Sequence, residues 1–349
     1  TLFSCMRQEK PLPAELSRAE SVMWEHPDSA LSILRSMPQS SLSSGKNYAT
    51  WALLLAQARD KVYGKRLPDS LNIPSSDKLV QDAMDYFEKE GNLKRMAQTY
   101  YYKGQLLKDQ KKITEAMPFF LKSKEMMTKL DEPLFTYLIC QSLGNTYRYQ
   151  DLYEESLVQL KDAYQYALRS GNGERISYAL SELGRTYVHK NEMDSALFYF
   201  GKSLDNAQRL GNIELEAMAM GELGVVYNKL SQGEKALHYT RKELDLCLQI
   251  SSLHKLPQVY YKIGSAFWSL GQLDSAKVYF QKSLETDNLY TLNEAYEVLY
   301  YICVEQKLYK EAIEYNNQYL IYSDSLQVIN HAGELAEIQA RYDHERLLN

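Results

Sequence analysis

Apolar and small positions along the chain repeat with a period of forty residues. Gly104, Gly144, Gly184, Gly224 and Gly264 stand in register. Leu143, Leu183, Leu223 and Ile263 each precede a glycine, and Tyr147, Tyr187, Tyr227 and Phe267 each follow one by three residues. Twelve residues past the glycine comes a small residue: Ala116, Ser156, Ala196, Ala236 or Ala276. Four further on stand Phe120, Leu160, Phe200 and Phe280, with Thr240 as the exception. The spacing of Leu183, Gly184 and Tyr187 puts them on one face of a helix, and Ala196 with Phe200 marks the facing side of a second. Each unit therefore predicts two amphipathic helices, with small residues permitting close approach and large ones filling the space around it. A pattern of this period is read as a stack of like units before it is read as separate domains.

Short breaks separate the predicted helices. Asp194, Asp274 and Thr114 are expected as N-caps, since a side-chain oxygen can accept from the free N–H groups of a first turn. Met193 with Phe198, and Leu273 with Val278, have the spacing of a hydrophobic staple. The turns at 170–172 and 210–212 carry glycines that can end a helix in the left-handed conformation. A sixth unit is expected over 293–320, with Tyr300 in the glycine position and Ala312 in the small one. Nearer the start, 26–34 reads as a helix capped by Asp28, and Trp51–Tyr63 with Asp77–Glu90 as a further pair around a loop at 64–76. Residues 324–349 read as a longer helix with a thin stripe of Leu326, Ile329, Ala332, Ala336 and Ala340, placed to cap the stack. The expected organisation is a tether over 1–13, atypical helical repeats over 14–92, a regular array over 93–322 and a capping or linker helix over 323–349.

The residues of the repeating unit resemble the tetratricopeptide repeat (TPR) family, whose small and aromatic positions match Leu183, Gly184, Tyr187, Ala196 and Phe200. The units are longer than the usual repeat, and Arg209–Gly211 stands where the common motif ends in proline. The resemblance implies an all-α fold, a right-handed superhelical solenoid of antiparallel helix pairs with a long C-terminal helix. With the register glycine counted as position 8, it also implies that positions 2, 5, 9 and 12 of each first helix line a concave groove for a protein or peptide. The groove residues so expected are Tyr101, Gln105, Lys108, Gln141, Asn145, Arg148, Tyr178, Arg185, Asn228, Tyr261 and Trp268. Aromatic rings supply buried area, amides pair with peptide groups, and arginine can fork onto a carboxylate. Position 5 carries Tyr101, Gln141, Ser181, Gly221 and Tyr261, never the lysine by which some TPR domains hold a partner's terminal carboxylate.

Composition narrows the function classes. The net charge of −5 and the absence of a basic stripe speak against direct nucleic-acid contact. Twenty-nine tyrosines suit both helix packing and a face of stiff amphipathic contacts. The chain has no GxxxxGK[ST], HExxH, GxSxG or dinucleotide fingerprint, so no enzyme activity and no cofactor are expected. The six histidines are scattered through different units; His189, Glu182, Glu192 and Asp194 are read as surface or cap residues. Cys5, Cys140, Cys247 and Cys303 lack metal-ligand spacing, and the last three are expected as small buried apolar residues. The longest apolar stretch resembling a membrane element, Trp51–Ala56, is far short of a spanning helix.

The two ends carry expectations about place. "TLFSC" at 1–5 resembles the end of a bacterial lipoprotein signal, with Cys5 as the lipidated residue. Residues 335–349 resemble the helix that follows TPR arrays in bacterial membrane-anchored regulators. The expected function is a non-enzymatic scaffold binding a protein or peptide, as the sensor portion of a signalling or transcriptional regulator. Its expected location is periplasmic or membrane-anchored outside the cytoplasm; a cytosolic peptide-responsive TPR regulator is the alternative.

Overall fold

The computed structural model describes residues 12–63 and 76–327, and among these every regular element is a helix. They form two compact units divided between Phe135 and Thr136. The first holds α1 (Ala14–Val22), α2 (Pro27–Ser36), α3 (Gly45–Tyr63), α4 (Ser76–Glu90), α5 (Leu93–Asp109) and α6 (Ile113–Lys129), and ends within α7 (Pro133–Tyr149). The second continues from α7 through α8 (Tyr153–Ser170), α9 (Gly173–His189), α10 (Met193–Leu210), α11 (Ile213–Lys229) and α12 (Gly233–Gln249). It is completed by α13 (Leu256–Ser269), α14 (Leu273–Ser283), α15 (Leu289–Glu305) and α16 (309–327). Each unit is an all-α stack of helix pairs, the helical-repeat solenoid architecture that the periodicity predicts.

The register glycines hold each pair together. A Cβ on Gly184 would lie 2.6 Å from the Phe200 ring, one on Gly104 2.7 Å from Phe120, and one on Gly144 2.5 Å from Leu160. The large side chain of the second helix thus occupies the room that the first helix leaves, and Phe200 is fully buried. Burial of a ring this size contributes about 1.5–3 kcal/mol. Thr240, which breaks the sequence pattern, still uses the gap: its methyl would meet a Cβ on Gly224 at 2.5 Å. In the sixth pair the sizes are exchanged, with Tyr300 at the glycine position and Asn316 at the bulky one. Successive pairs join through the second helix, as where Ala196 and Phe200 of α10 cluster with Leu223 and Val226 of α11.

Tyrosine usage follows from a stacked pair inside the unit. Tyr187 lies on Tyr199 and Tyr227 on Tyr239, each with ring centroids 5.3 Å apart and 9° between planes; Phe267 and Tyr279 repeat the contact at 5.4 Å. The tyrosine rings are half-buried, so their phenol bodies pack while the hydroxyls stay near water, and Phe267 is buried.

Helix ends correct several sequence expectations. Gly171 and Gly211 do end α8 and α10 with φ of 64° and 63°. At the matching turns Asp131, Asp151, Asn191, Ser231 and Lys307 take φ between 54° and 62°. The helix starts differ from expectation. α6, α10 and α14 have Lys112, Glu192 and Gln272 at the N-cap, none with a side-chain cap bond, so Thr114, Asp194 and Asp274 lie inside the first turn. The connection fixes this: the Glu192 N–H is already donated to Tyr187 O (2.9 Å), so the new helix must begin at the next residue. Asp194 and Asp274 instead place negative charge at the positive end of the helix. Asp28 is likewise inside α2, behind His26 and Pro27. The same shift moves Met193 and Leu273 into the first turn and leaves Phe198 and Val278 exposed, so neither staple forms. Side-chain caps occur at the opposite ends of the pairs. Asn92, Asn172 and Asn212 accept from the N–H groups of Arg95, Arg175 and Leu215 at 3.0–3.1 Å, and Asn288 does the same for α15.

Cys140, Cys247 and Cys303 are buried free thiols, as expected. Cys5, the 1–11 part of the tether, residues 64–75 of the expected loop and the terminal segment from 328 lie outside the described residues.

Candidate functional site

The first helices of the second unit present one face at repeat positions 2, 5, 9 and 12. Beside it runs a ladder of opposite charges, with Arg148 and Arg185 at positions 12 and 9 and Glu182 and Glu222 at position 6. Arg148 of α7 meets Glu182 of α9 at 2.8 Å; Glu182 also holds Arg185 at 2.7 Å; Arg185 Nε donates to Glu222 of α11 at 2.7 Å. Glu243 of α12 accepts from Lys262 of α13 at 2.7 Å. Burial opposes the Arg185 charge, but Glu222 and Glu182 outweigh it and hold the guanidinium above its ordinary range. Burial likewise pushes the Glu243 carboxyl up, with Lys262 working against it.

Exposed apolar groups stand on the same first helices and on α15. Tyr178 is 40% exposed, Trp268 37% and Tyr301 50%, and Val304 is exposed one turn on from Tyr301. Tyr178, Trp268 and Val304 occupy positions 2 and 12, and Tyr301 position 9, of their own first helices. Exposed aromatic rings on one face are uncommon among solvated residues and commonly mark contact surfaces.

The residues expected to line the groove meet different fates. Gln141 and Asn145 are half-buried on α7, and the Asn145 Oδ1 has no hydrogen-bond partner. Arg148 and Arg185 are committed to Glu182 and Glu222, so neither guanidinium is presented to fork onto a ligand carboxylate. Asn228 Oδ1 accepts from Ser269 Oγ at 2.6 Å. Tyr261 bonds Glu294 and packs edge-on to Phe280, and its hydroxyl is raised by burial and by Glu294. Tyr178 and Trp268 remain open. Tyr101, Gln105 and Lys108 belong to the first unit. There Tyr101 is buried against Phe120 and Phe135, its hydroxyl accepting from Gln105 at 2.6 Å, so it serves as core rather than as a free surface.

Several residues of this face escape a reading by residue type. Glu182 is not a surface residue: it is 7% exposed and bridges two arginines. Its i,i+3 spacing to Arg185 and the recurrence of glutamate forty residues on at Glu222 were the available signals. Tyr301 and Val304 fall on the face only when the sixth unit is aligned on Tyr300. His189 is exposed, stacks on Tyr153 at 6.1 Å, and is lowered by partial burial and by Arg148. Among the described residues no group of three His, Cys, Asp or Glu side chains converges to hold a metal, and no helix is long and apolar enough to cross a membrane.

The family described as "Tetratricopeptide repeat" matches residues 97–126 and 257–288. Among solved structures, the chain is similar to a Signal Transduction ATPase with Numerous Domains with a tetratricopeptide repeat sensor from Pyrococcus horikoshii, at TM-score 0.68 and 14% identity. That match covers 92% of this chain and 48% of the other, so the chain spans about half the length of that protein. Aspartyl phosphate phosphatase F from Bacillus subtilis matches at TM-score 0.55 and 16% identity, over 94% of this chain and 93% of that one. A Rap protein complexed with Competence and Sporulation Factor matches at TM-score 0.62 and 12% identity, over 90% and 98%. At these identities the likeness is one of fold. Among curated proteins no sequence matches the chain.

Proposed function

The chain is built of tetratricopeptide repeats, and on that premise we propose that it is the sensor portion of a bacterial signalling or transcriptional regulator that takes up a peptide. The peptide lies on the first-helix face of residues 136–327. The observation that carries this reading is the exposure of Tyr178, Trp268, Tyr301 and Val304 at face positions of α9, α13 and α15, alongside a ladder whose charges are already paired. Paired ladder charges keep the helices in register, while the open rings supply contact area. Stiff aromatic side chains lose little entropy on binding and are enriched among residues that dominate interface energy.

The resemblance in fold to a sensor array and to a protein that holds Competence and Sporulation Factor supports a sensing role. The reading gives the chain no catalytic step. The lipoprotein-like Cys5 and the segment 335–349 favour a location outside the cytoplasm, with an output module beyond the array; a cytosolic regulator is the alternative.

Peptides selected from a displayed random library on the full chain, then measured by fluorescence anisotropy, test the face. Tyr178→Ala and Trp268→Ala are each expected to weaken binding about tenfold. Phe198→Ala, exposed on a second helix, is expected to leave it unchanged. Equal affinity for the wild type and both face variants would overturn the assignment.

A further inference from the structure

The pairing of charges runs out at the last first helix. Up to α13 the carboxylates of the ladder are matched by cations: Glu182 by Arg148 and Arg185, Glu222 by Arg185, and Glu243 by Lys262. α15 carries two more, Glu294 and Glu297, at positions 2 and 5. On the neighbouring α13 the same positions hold Gln258 and Tyr261, and Lys262 is already engaged by Glu243. Tyr261 donates its hydroxyl to Glu294. Among the described residues Glu297 has neither an ion pair nor a hydrogen bond.

Both carboxylates are open to a ligand, Glu294 being exposed and Glu297 half-buried. Burial pushes the Glu294 carboxyl up, Tyr261 works against it, and Glu297 adds to the rise. What this stretch of α15 lacks is positive charge. Four residues after Glu297, and so one turn away on the same face, stands Tyr301, 50% exposed. A carboxylate with an open ring beside it offers a ligand two things at once. The carboxylate takes a cation, and the ring takes either the methylene stem that carries the cation or the cation itself.

Resting on the peptide-binding reading above, we propose that Glu297 and Tyr301 form the subsite for a lysine or arginine side chain of the bound peptide. The stem lies along the Tyr301 ring and the charged head donates to Glu297, with Glu294 adding negative charge one turn before it. Charge complementarity fixes the class of side chain: an acidic residue would face two carboxylates, and an apolar one would leave Glu297 unmatched. A free amino terminus has the charge but no stem to cover the ring.

The probes are decapeptides with acetylated and amidated ends, selected from a synthetic library on the full chain, and a matched library with free amino termini. Each lysine or arginine is replaced in turn by norleucine, which keeps an apolar stem and removes the charge. One such replacement is expected to weaken binding about tenfold on the wild type and to have no effect on the near-isosteric Glu297→Gln chain. The parent peptide is expected to bind Tyr301→Phe as it binds the wild type and to lose affinity for Tyr301→Ala. Equal loss on both Tyr301 variants would remove the ring from the subsite. Binding that depends on a free amino terminus and is lost on acetylation would overturn the side-chain assignment. Binders that need no cation, or whose norleucine forms lose equally on wild type and Glu297→Gln, would overturn the subsite and leave the peptide-binding face standing. Failure of both libraries to yield any binder would overturn the two together.

Discussion

Glu182→Ala is expected to lower the stability of the second unit by about 3 kcal/mol, because removing one partner of a buried ion pair leaves the other uncompensated. Arg148 is the partner left behind: its side chain is 9% exposed and its charge faces Glu182 at 2.8 Å. Arg185 loses less, since Glu222 still holds it. The double change Arg148→Met with Glu182→Leu is expected to recover most of the loss, because apolar residues of similar volume avoid the desolvation cost altogether. Repeat arrays need not unfold in one step. The quantity to measure is therefore the opening free energy of α9 amides by native-state hydrogen exchange. A loss below about 1 kcal/mol for Glu182→Ala would match a solvated surface pair and contradict this account.

The second large effect is a contrast between two glycines that both lie in helix interiors but differ in what faces them. Both Gly184 and Gly201 lie inside helices, where alanine is ordinarily better by about 1 kcal/mol. A Cβ on Gly201 meets nothing within 4 Å, so Gly201→Ala is expected to stabilise by about that amount. On Gly184 the same atom would sit 2.6 Å from the buried Phe200 ring. Overpacking costs about 1–3 kcal/mol and outweighs the propensity gain, so Gly184→Ala is expected to destabilise the pair by about 1–2 kcal/mol. Urea unfolding followed by circular dichroism reads both variants. Stabilisation by Gly184→Ala would mean that α9 and α10 are not held as closely as described.

The contrast also marks what the sequence discloses. Gly184, Phe200 and Tyr187 recur because every unit solves the same packing problem, so their spacing carries the fold without any coordinates. Asp194 and Asp274 do not cap, because the preference of aspartate for helix starts says nothing about where a two-residue turn releases the chain. That depends on the bond from Glu192 N–H to Tyr187 O. The candidate face was legible in register but not in role. Arg148 and Arg185 fall where a ligand-binding arginine would, and only their distances to Glu182 and Glu222 turn them into struts. Tyr101 holds the same register as Gly221, yet it is core in one unit where in the other the Glu243 carboxyl fills the space. Position along a repeat fixes direction; what waits in that direction comes from neighbouring units, which pattern alone does not supply.

The central claim is that a peptide lies on the first-helix face of residues 136–327. Hydroxyl-radical footprinting of the full chain, with and without a library-selected peptide, tests it most directly, because the exposed rings are natural reporters. Tyr178, Trp268 and Tyr301 are expected to become protected, while Phe198 and Tyr309, exposed on second helices, keep their reactivity. Protection of Phe198 and Tyr309 with Tyr178 and Trp268 unchanged would contradict the account.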